Sequence, residues 1–415
     1  MVYGCLPSAT GATPALYIAP SGFFGSGYGT SDSLTLNPLY CIEGVPLLFG
    51  APSVERMGNA LVVKADIVAS AYFLLTRYEE WVRRDVRDEH GRFPGRESLP
   101  FRAGFLHRPI VDEYAELLRK WARQVGIELP VPKRRFSVLL THDVDSLGLR
   151  GPLQAARSIA GGLLGQRPLR QALSSAAARI GLLRHPDDNL NDVIQLDRQL
   201  TERFPTDRCR ALYFFMAGGK SPQDGNYRLG EARIINGLRE VSASGAGVGL
   251  HASYEAGTNP AKVAIERQAL EDVAGLPIEK NRHHCLNWRE PEHGAAIAEA
   301  GINWDSTLGY ADVAGFRLGV CRPVPLFDPI RQCLLGIEEH PLIVMDCTLD
   351  WAKYMNLGEE AAFDQVRRLA DATFQHQGEF VILWHNTVLA TTDRSYHKRL
   401  YPRVLDYLAG LLEQA

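Results

Sequence analysis

The sequence predicts an α/β fold, either a barrel or an open sheet, preceded by a smaller N-terminal region. From about residue 190 onward, short apolar strands alternate with helical segments, which is typical of parallel strands joined by right-handed crossovers. A buried strand, FSVLLTHDVD at 136–145, ends in charged residues. Pro130 and Pro132 precede it and mark a boundary, and a chain of 415 residues is long enough for two domains.

The N-terminal region, residues 1–132, is expected to form a small α+β domain. Its first sixty residues are rich in Gly, Ser and Pro between short apolar runs, which indicates strands and turns. Apolar residues at helical spacing predict a helix over 65–84, and a second helix is expected over roughly 110–125. The sequence does not indicate what this region does.

Residues 133–415 carry the strand and helix alternation. The predicted strands are ALYFFMA from 211, GVGLHAS from 247, INWDS from 302, LIVMDCT from 342 and FVILWHN from 380. The predicted helices cover 231–244, 260–274, 293–300 and 359–376.

An insertion at 146–186 contains six arginines and no acidic residue. One interpretation is a basic amphipathic helix that makes a peripheral contact with an anionic membrane or polymer. The other is a solvated lid or insertion helix, because glycines and Pro168 interrupt the pattern.

Composition excludes several classes of protein. The net charge of -3 gives no electrostatic reason to bind nucleic acid. No window reaches 18 apolar residues and the N-terminus lacks a signal-peptide pattern, so a cytoplasmic location is expected. The seven cysteines form no CxxC pair, which suits reduced thiols better than a disulfide framework. The sequence does not indicate the oligomeric state.

Charged and imidazole side chains follow several of the predicted strands. Because the carboxyl ends of parallel strands meet at one face, these side chains are expected to converge there. They are Asp143, Asp145, His251, Arg282, His283, His284, Asp346, Asp350 and His385.

The spacing of Asp143 and Asp145 leaves two interpretations open. At i, i+2 both carboxylates lie on one side of the strand end, where one could hold a metal while the other takes a proton. Alternatively, both are turn formers that cap the next element.

Several short motifs resemble those of the polysaccharide deacetylases of carbohydrate esterase family 4, in that family's order. THDVD is similar to the first motif, GLHASYE to the HSxxH motif, NRHHCLNW to the arginine motif, MDCTLDW to the Asp-Trp motif and LWH to the final LxxH. The resemblance covers 136 to about 410. The segment from 60 to 125 also resembles an uncharacterised domain that precedes such deacetylase domains in bacterial proteins.

This resemblance implies a distorted (β/α)7 barrel that removes N- or O-acetyl groups from an acetylated saccharide with a divalent metal, commonly zinc. It implies that Asp143 is the general base, oriented by Arg282, and that His385 is the general acid, tuned by Asp346 or Asp350. Asp145 and His251 would be metal ligands.

One position departs from the family's pattern. Glu255 stands where the second metal-binding histidine is expected, four residues after His251. Glu255 could itself be the third ligand, or His283 or His284 could take its place. Alternatively, the chain could be a carbohydrate-binding or scaffold protein of a polysaccharide pathway that has lost catalysis. A further hypothesis is that Asp143 and His385 alone carry out hydrolysis without a metal.

A last group of side chains is expected to contact the substrate. Core packing is the alternative explanation for His142 and Trp384, and an ordinary loop is the alternative for Tyr310. The group consists of His142, Tyr254, His284, Tyr310 and Trp384.

Overall fold

The computed structural model describes the chain except for residues 5–14, 36–37, 132, 149–155, 157–158, 161–168, 181, 184, 186, 226, 290–292 and 391–395. About half of the arginine-rich insertion predicted at 146–186 therefore lies outside the described residues, and its membrane contact stays a prediction. No helix among the described residues is long and apolar enough to cross a membrane.

The N-terminal region combines a sheet with helices. Its strands are β1 (Val2–Tyr3), β2 (Ala15–Ile18), β3 (Tyr40–Ile42), β4 (Val45–Leu47), β5 (Gly50–Met57) and β6 (Ala60–Ala65). One sheet has the order β1-β2-β6-β5, and β3 pairs with β4. The helices are α1 (Ile67–Leu75), α2 (Tyr78–Val82), α3 (Leu99–Arg102) and α4 (Ile110–Gln124).

The single helix predicted over 65–84 is two helices. Asp66 caps the first helix by accepting a hydrogen bond from the backbone N–H of Ala69. Arg77 then adopts a left-handed conformation with φ of 54°, which ends the helical path before α2 begins. The hydrophobic periodicity continues across this break, so the pattern alone could not locate it.

The remaining residues form a mixed α/β region. Its strands are β7 (Ser137–Val144), β8 (Cys209–Met216), β9 (Gly247–Ala252), β10 (Lys280–His283), β11 (Trp304–Asp305), β12 (Val324–Asp328), β13 (Cys333–Glu339), β14 (Val344–Met345) and β15 (Glu379–Leu383). Its helices are α5 (Leu169–Arg179), α6 (Leu190–Thr201), α7 (Ala232–Ala243), α8 (Lys262–Ala274), α9 (His293–Glu299), α10 (Asp346–Asp350), α11 (Glu359–Gln375), α12 (Asn386–Ala390) and α13 (His397–Gln414).

The large sheet has nine strands in the order β12-β13-β11-β10-β9-β8-β7-β15-β14. Within the described residues it does not close, because β12 and β14 are its two outer strands. The pairs from β14 through β13 are parallel, and β12 runs antiparallel to β13. The prediction of an α/β fold is confirmed, whereas the (β/α)7 count stays a prediction.

The predicted strand LIVMDCT is only partly a strand. Residues Val344–Met345 pair with β15, and the chain then turns into α10, which starts at Asp346. The Asp346 carboxylate accepts a hydrogen bond from the backbone N–H of Cys347 at 2.6 Å, and a carboxylate in the first turn of a helix is favourable. This turn places Asp346 at the end of its strand, beside the neighbouring β15.

Two apolar cores lie on either side of the predicted boundary. One is built by residues between 16 and 125, including Tyr78 and Trp121. The other packs the large sheet against its helices and includes Phe136 and Trp384. Between them, Arg317 donates two hydrogen bonds to the buried carboxylate of Glu80. This ion pair links the N-terminal region to the loop that follows β11.

Candidate active site

The carboxyl ends of five strands of the large sheet meet in one region. Strand β7 delivers Asp143 and, one residue past its end, Asp145. Strands β9 and β10 are paired in register so that His251 lies beside Arg282. His385 follows β15, and its neighbour β14 leads into Asp346. The structure thus gathers side chains that are up to about 240 positions apart in sequence.

The first part of the site is a group of three potential metal ligands, Asp145, His251 and His284, whose ligand atoms all lie within 4.8 Å of one another. His251 Nε2 lies 3.4 Å from Asp145 Oδ1, and His284 Nε2 lies 4.0 Å from the same oxygen. Two ligand atoms on a tetrahedral zinc ion are about 3.4 Å apart, so the first distance fits directly.

The hydrogen bonds of this group also fit a metal. Among the described residues, the buried atoms Asp145 Oδ1 and His251 Nε2 have no hydrogen-bond partner, although they face each other. His251 Nδ1 lies 2.9 Å from the carbonyl oxygen of Arg282, which can only accept. Donation from Nδ1 to this carbonyl leaves the Nε2 lone pair free for a cation.

His284 lies beside a carboxylate that the sequence analysis did not single out. Asp224, in the loop after β8, lies 3.5 Å from His284 Nδ1 and accepts hydrogen bonds from the backbone N–H groups of Tyr254 and Ser221. Carboxylates commonly orient metal-binding histidines in this way. Nothing in the sequence marks Asp224 beyond its position in a loop after a strand.

Backbone strain follows His284 directly. Cys285 and Leu286 have φ values of 57° and 51°, which cost about 1–3 kcal/mol each for residues other than glycine. The sharp turn they make at the end of β10 keeps His284 beside Asp145. Strain of this kind accumulates at functional sites.

The electrostatic setting of Asp145 favours an anion. Burial would raise the pKa of its carboxyl group, but the neighbouring imidazoles of His251, His284 and His385 lower that pKa well below its usual range. An ionised carboxylate is the form that binds a cation.

A second candidate group, Asp346, Cys347 and His385, is less suited to a metal. Burial and the neighbouring carboxylate of Asp346 raise the pKa of the Cys347 thiol well above its ordinary value, which disfavours the thiolate that a metal needs. Asp346 and His385 are already hydrogen-bonded to each other, with Oδ1 and Nδ1 2.8 Å apart. The first group is therefore the better candidate.

Asp143 and Arg282 form the second part of the site. Both are buried, and Arg282 Nη1 lies 3.3 Å from Asp143 Oδ1. Arg282 is fixed by hydrogen bonds to Thr141 and to Ser306, and it stacks over the ring of Phe214 at 4.7 Å. The guanidinium therefore fixes the position of the Asp143 carboxyl group next to the group of metal ligands.

His385 and Asp346 form the third part. His385 Nε2 lies 3.9 Å from Asp143 and 3.8 Å from Asp145, while its Nδ1 bonds Asp346. Burial would lower the pKa of His385, but Asp346, Asp145 and Asp143 raise it to about 10. In this setting the side chain is an imidazolium at neutral pH, which can donate a proton into the pocket.

Several residues expected at the site lie elsewhere. Glu255 forms an ion pair with Lys262 at 2.5 Å and is not part of the three-ligand group. Asp350 lies 3.1 Å from His397 instead of pairing with His385. Of the two aspartates considered for tuning His385, Asp346 is the one in contact.

Three residues expected to contact substrate are buried away from the pocket. His142 is 0% exposed, bonds the Trp384 carbonyl and stacks on Tyr213, because alternation along β7 turns it away from Asp143. Trp384 is also 0% exposed. Tyr310 lies against Glu80 and Arg317 at the contact with the N-terminal region.

The cavity at this site has a volume of about 440 Å³. Tyr254 is adjacent to its lining through a contact with His90 at 3.1 Å, and His284 lines it directly. Its wall also includes Trp351 and Tyr354, whose rings stack at 5.4 Å, and three residues of the N-terminal region: Glu89, His90 and Arg92.

Comparisons with known proteins match two parts of this picture. Residues 8–126 match a family of unknown function, DUF7033. This confirms the prediction of an uncharacterised domain at the N-terminus. No curated protein matches the sequence.

Among solved structures, the chain is similar to a protein from Mycobacterium smegmatis described as an inferred polysaccharide deacetylase. The match has a TM-score of 0.43 and 14% identity, and it covers 68% of this chain and 86% of the other. Because this similarity is weak, the chemistry of the site has to be inferred from the positions of its own side chains.

Proposed function

We propose that the protein is a metal-dependent hydrolase that removes N- or O-linked acetyl groups from a saccharide or sugar conjugate. In this proposal residues 133–415 carry the catalytic site, and residues 1–132 form an accessory region. The observation that carries it is that Asp145, His251 and His284 lie together beside Asp143 and His385, and that all of these except His251 line one cavity.

Asp145, His251 and His284 would hold a divalent cation, for which zinc suits the mixed imidazole and carboxylate set. A set of three protein side chains is the number of protein ligands that catalytic zinc sites use. When bound, the cation supplies Lewis-acid polarisation of the acetyl carbonyl and of the attacking water.

The protein's own side chains then move the protons. Asp143 accepts a proton from the attacking water, and Arg282 orients this carboxylate. A C–O bond forms to the acetyl carbon as its bond to the sugar nitrogen or oxygen breaks. His385 donates its proton to that departing atom, and Asp346 stabilises the imidazolium beforehand. The products are acetate and the free amine or hydroxyl of the sugar.

The proposal is tested by measuring bound metal and acetate release on the same preparations. Wild-type protein is expected to bind about one zinc ion per chain. Alanine at Asp145, His251 or His284 should abolish metal binding, whereas Glu255→Ala serves as the matched control and should retain it. Asp143→Asn should retain the metal while acetate release falls by about 10²–10⁴-fold.

Two outcomes would contradict the proposal. Metal content near zero, with saccharide binding unaffected by Asp143→Ala, would support a carbohydrate-binding protein that has lost catalysis. Acetate release that survives chelation but not Asp143→Asn would support metal-free hydrolysis by Asp143 and His385.

A further inference from the structure

The N-terminal region contributes a short turn, residues 88–92, to the wall of the candidate active site. Glu89, His90 and Arg92 line the same cavity as Asp143 and His385. Neither the family match to the N-terminal region nor the proposed chemistry assigns a role to this turn.

The turn is internally rigid. The Asp88 carboxylate accepts hydrogen bonds from the backbone N–H groups of His90 and Arg92, each at 2.9 Å, and from Arg92 Nε at 2.8 Å. Gly91 has φ of +74°, and a Cβ there would lie 2.6 Å from a guanidinium nitrogen of Arg289. Only glycine fits this close approach without displacing Arg289.

The turn is also docked on the segments that carry the site. Arg92 is buried and donates to the carbonyl of Cys285, next to the proposed ligand His284, at 2.6 Å. It also donates to the hydroxyl of Tyr354 at 3.1 Å. His90 Nδ1 lies 3.1 Å from the hydroxyl of Tyr254, which is three residues past His251. The turn therefore keeps a fixed position relative to the reacting groups.

The facing wall suits a sugar ring. Trp351 is 46% exposed and stacks on Tyr354 with an interplanar angle of 12°. Exposed aromatic faces commonly pack against the apolar face of a sugar. Lys353 and Glu89 form an exposed ion pair between this wall and the turn, and such pairs contribute little to stability, so sugar hydroxyls can replace it.

We propose that the turn 88–92 is a specificity element that limits the substrate to a short saccharide or to the terminal unit of a chain. This inference rests on the proposed function. A groove that accepts the interior of a polymer must be open on both sides of the reacting unit, and the turn occupies one side. The cavity of about 440 Å³ lies toward the small end of the roughly 300–1,000 Å³ range of ligand pockets.

The test uses the full-length, zinc-loaded protein with two probes, an N-acetylated monosaccharide and the hexasaccharide built from it. The double variant Glu89→Ala/His90→Ala removes the wall side chains but keeps the anchor Arg92. Wild-type protein should have the higher kcat/KM for the monosaccharide. In the double variant the ratio of hexasaccharide to monosaccharide kcat/KM should rise at least about tenfold, the usual lower limit for a change in pocket fit.

The matched control is Glu97→Ala, because Glu97 lies on the same segment but pairs with Arg83 outside the cavity. This control should keep the wild-type ratio. An unchanged ratio in the double variant, or equal losses for both probes, would overturn the role of the turn.

Binding of both probes to Asp143→Asn, with and without the wall substitutions, separates this proposal from the proposed function. A size preference in binding that disappears with the wall side chains would support the turn even if wild-type protein released no acetate, an outcome that would refute only the hydrolase. If the wild-type protein neither binds the probes nor releases acetate, both proposals are wrong.

Discussion

The hydrogen bond between His385 Nδ1 and Asp346 Oδ1 leads to a specific prediction for the pH dependence of catalysis. Burial by itself would lower the pKa of His385, but three carboxylates raise it to about 10. A general acid must be protonated to act. Activity is therefore expected below the pKa of His385 and should be lost as the pH rises through it.

The substitution Asp346→Asn keeps the size of the side chain and removes its charge. Asp346 is 2.8 Å from the ring, closer than Asp145 at 3.8 Å or Asp143 at 3.9 Å. Loss of an opposite charge at such a distance changes a pKa by about 1–3 units. The alkaline limb of the pH profile should move to lower pH by that amount, and a cation at the neighbouring ligands leaves this direction unchanged.

The assay is kcat/KM for acetate release from an N-acetylated sugar, measured from neutral to strongly alkaline pH with metal content checked at each point. Asp350→Asn is the matched control, since Asp350 lies 3.1 Å from His397 and not beside His385. Its profile should keep the wild-type limb. The assignment of His385 as the acid would be refuted by a limb that stays in place in Asp346→Asn, or by an equal shift in Asp350→Asn.

Two further predictions concern metal affinity and stability. Asp224→Asn should weaken zinc binding by about 10–100-fold, because the carboxylate that orients His284 is lost, and competition with a chelator would measure this. An unchanged affinity would argue against His284 as a ligand. Glu80→Ala should lower the free energy of unfolding by about 3–5 kcal/mol, because it leaves Arg317 buried without its carboxylate. Urea denaturation measures this loss. The control is Glu360→Ala, which removes an exposed ion pair and should cause no measurable change.

Several helices that pack on the large sheet could be predicted, because hydrophobic periodicity follows the burial of residues along one segment. The helices predicted at 231–244, 260–274 and 359–376 occur at Ala232–Ala243, Lys262–Ala274 and Glu359–Gln375. The helix break at Arg77 could not be predicted, because apolar spacing is the same on both sides of a single left-handed residue.

The site could be predicted only where a side chain follows its own strand. The structure brings Asp143, His251 and His385 together because parallel strands end at one edge. The placement of Glu255 depends on a local pairing with Lys262, and the placement of Tyr310 depends on contacts with the N-terminal region. Contacts between distant segments leave no periodic signal in a single sequence.

The order of strands in the sheet supports the proposal that His284, which follows β10, takes the place of the histidine that the family resemblance would put after β9. The neighbouring strands β7, β8, β9 and β10 supply, in that order, Asp145, Asp224, His251 and His284. Because Arg282 pairs with His251 in register, His284 lies two residues further along, at the level of the turn that follows β9. A side chain at either position can reach the same region of the site. Glu255 at the family position and the strained residues Cys285 and Leu286 are therefore consistent with the proposed metal site, whose ligands would come from β7, β9 and β10.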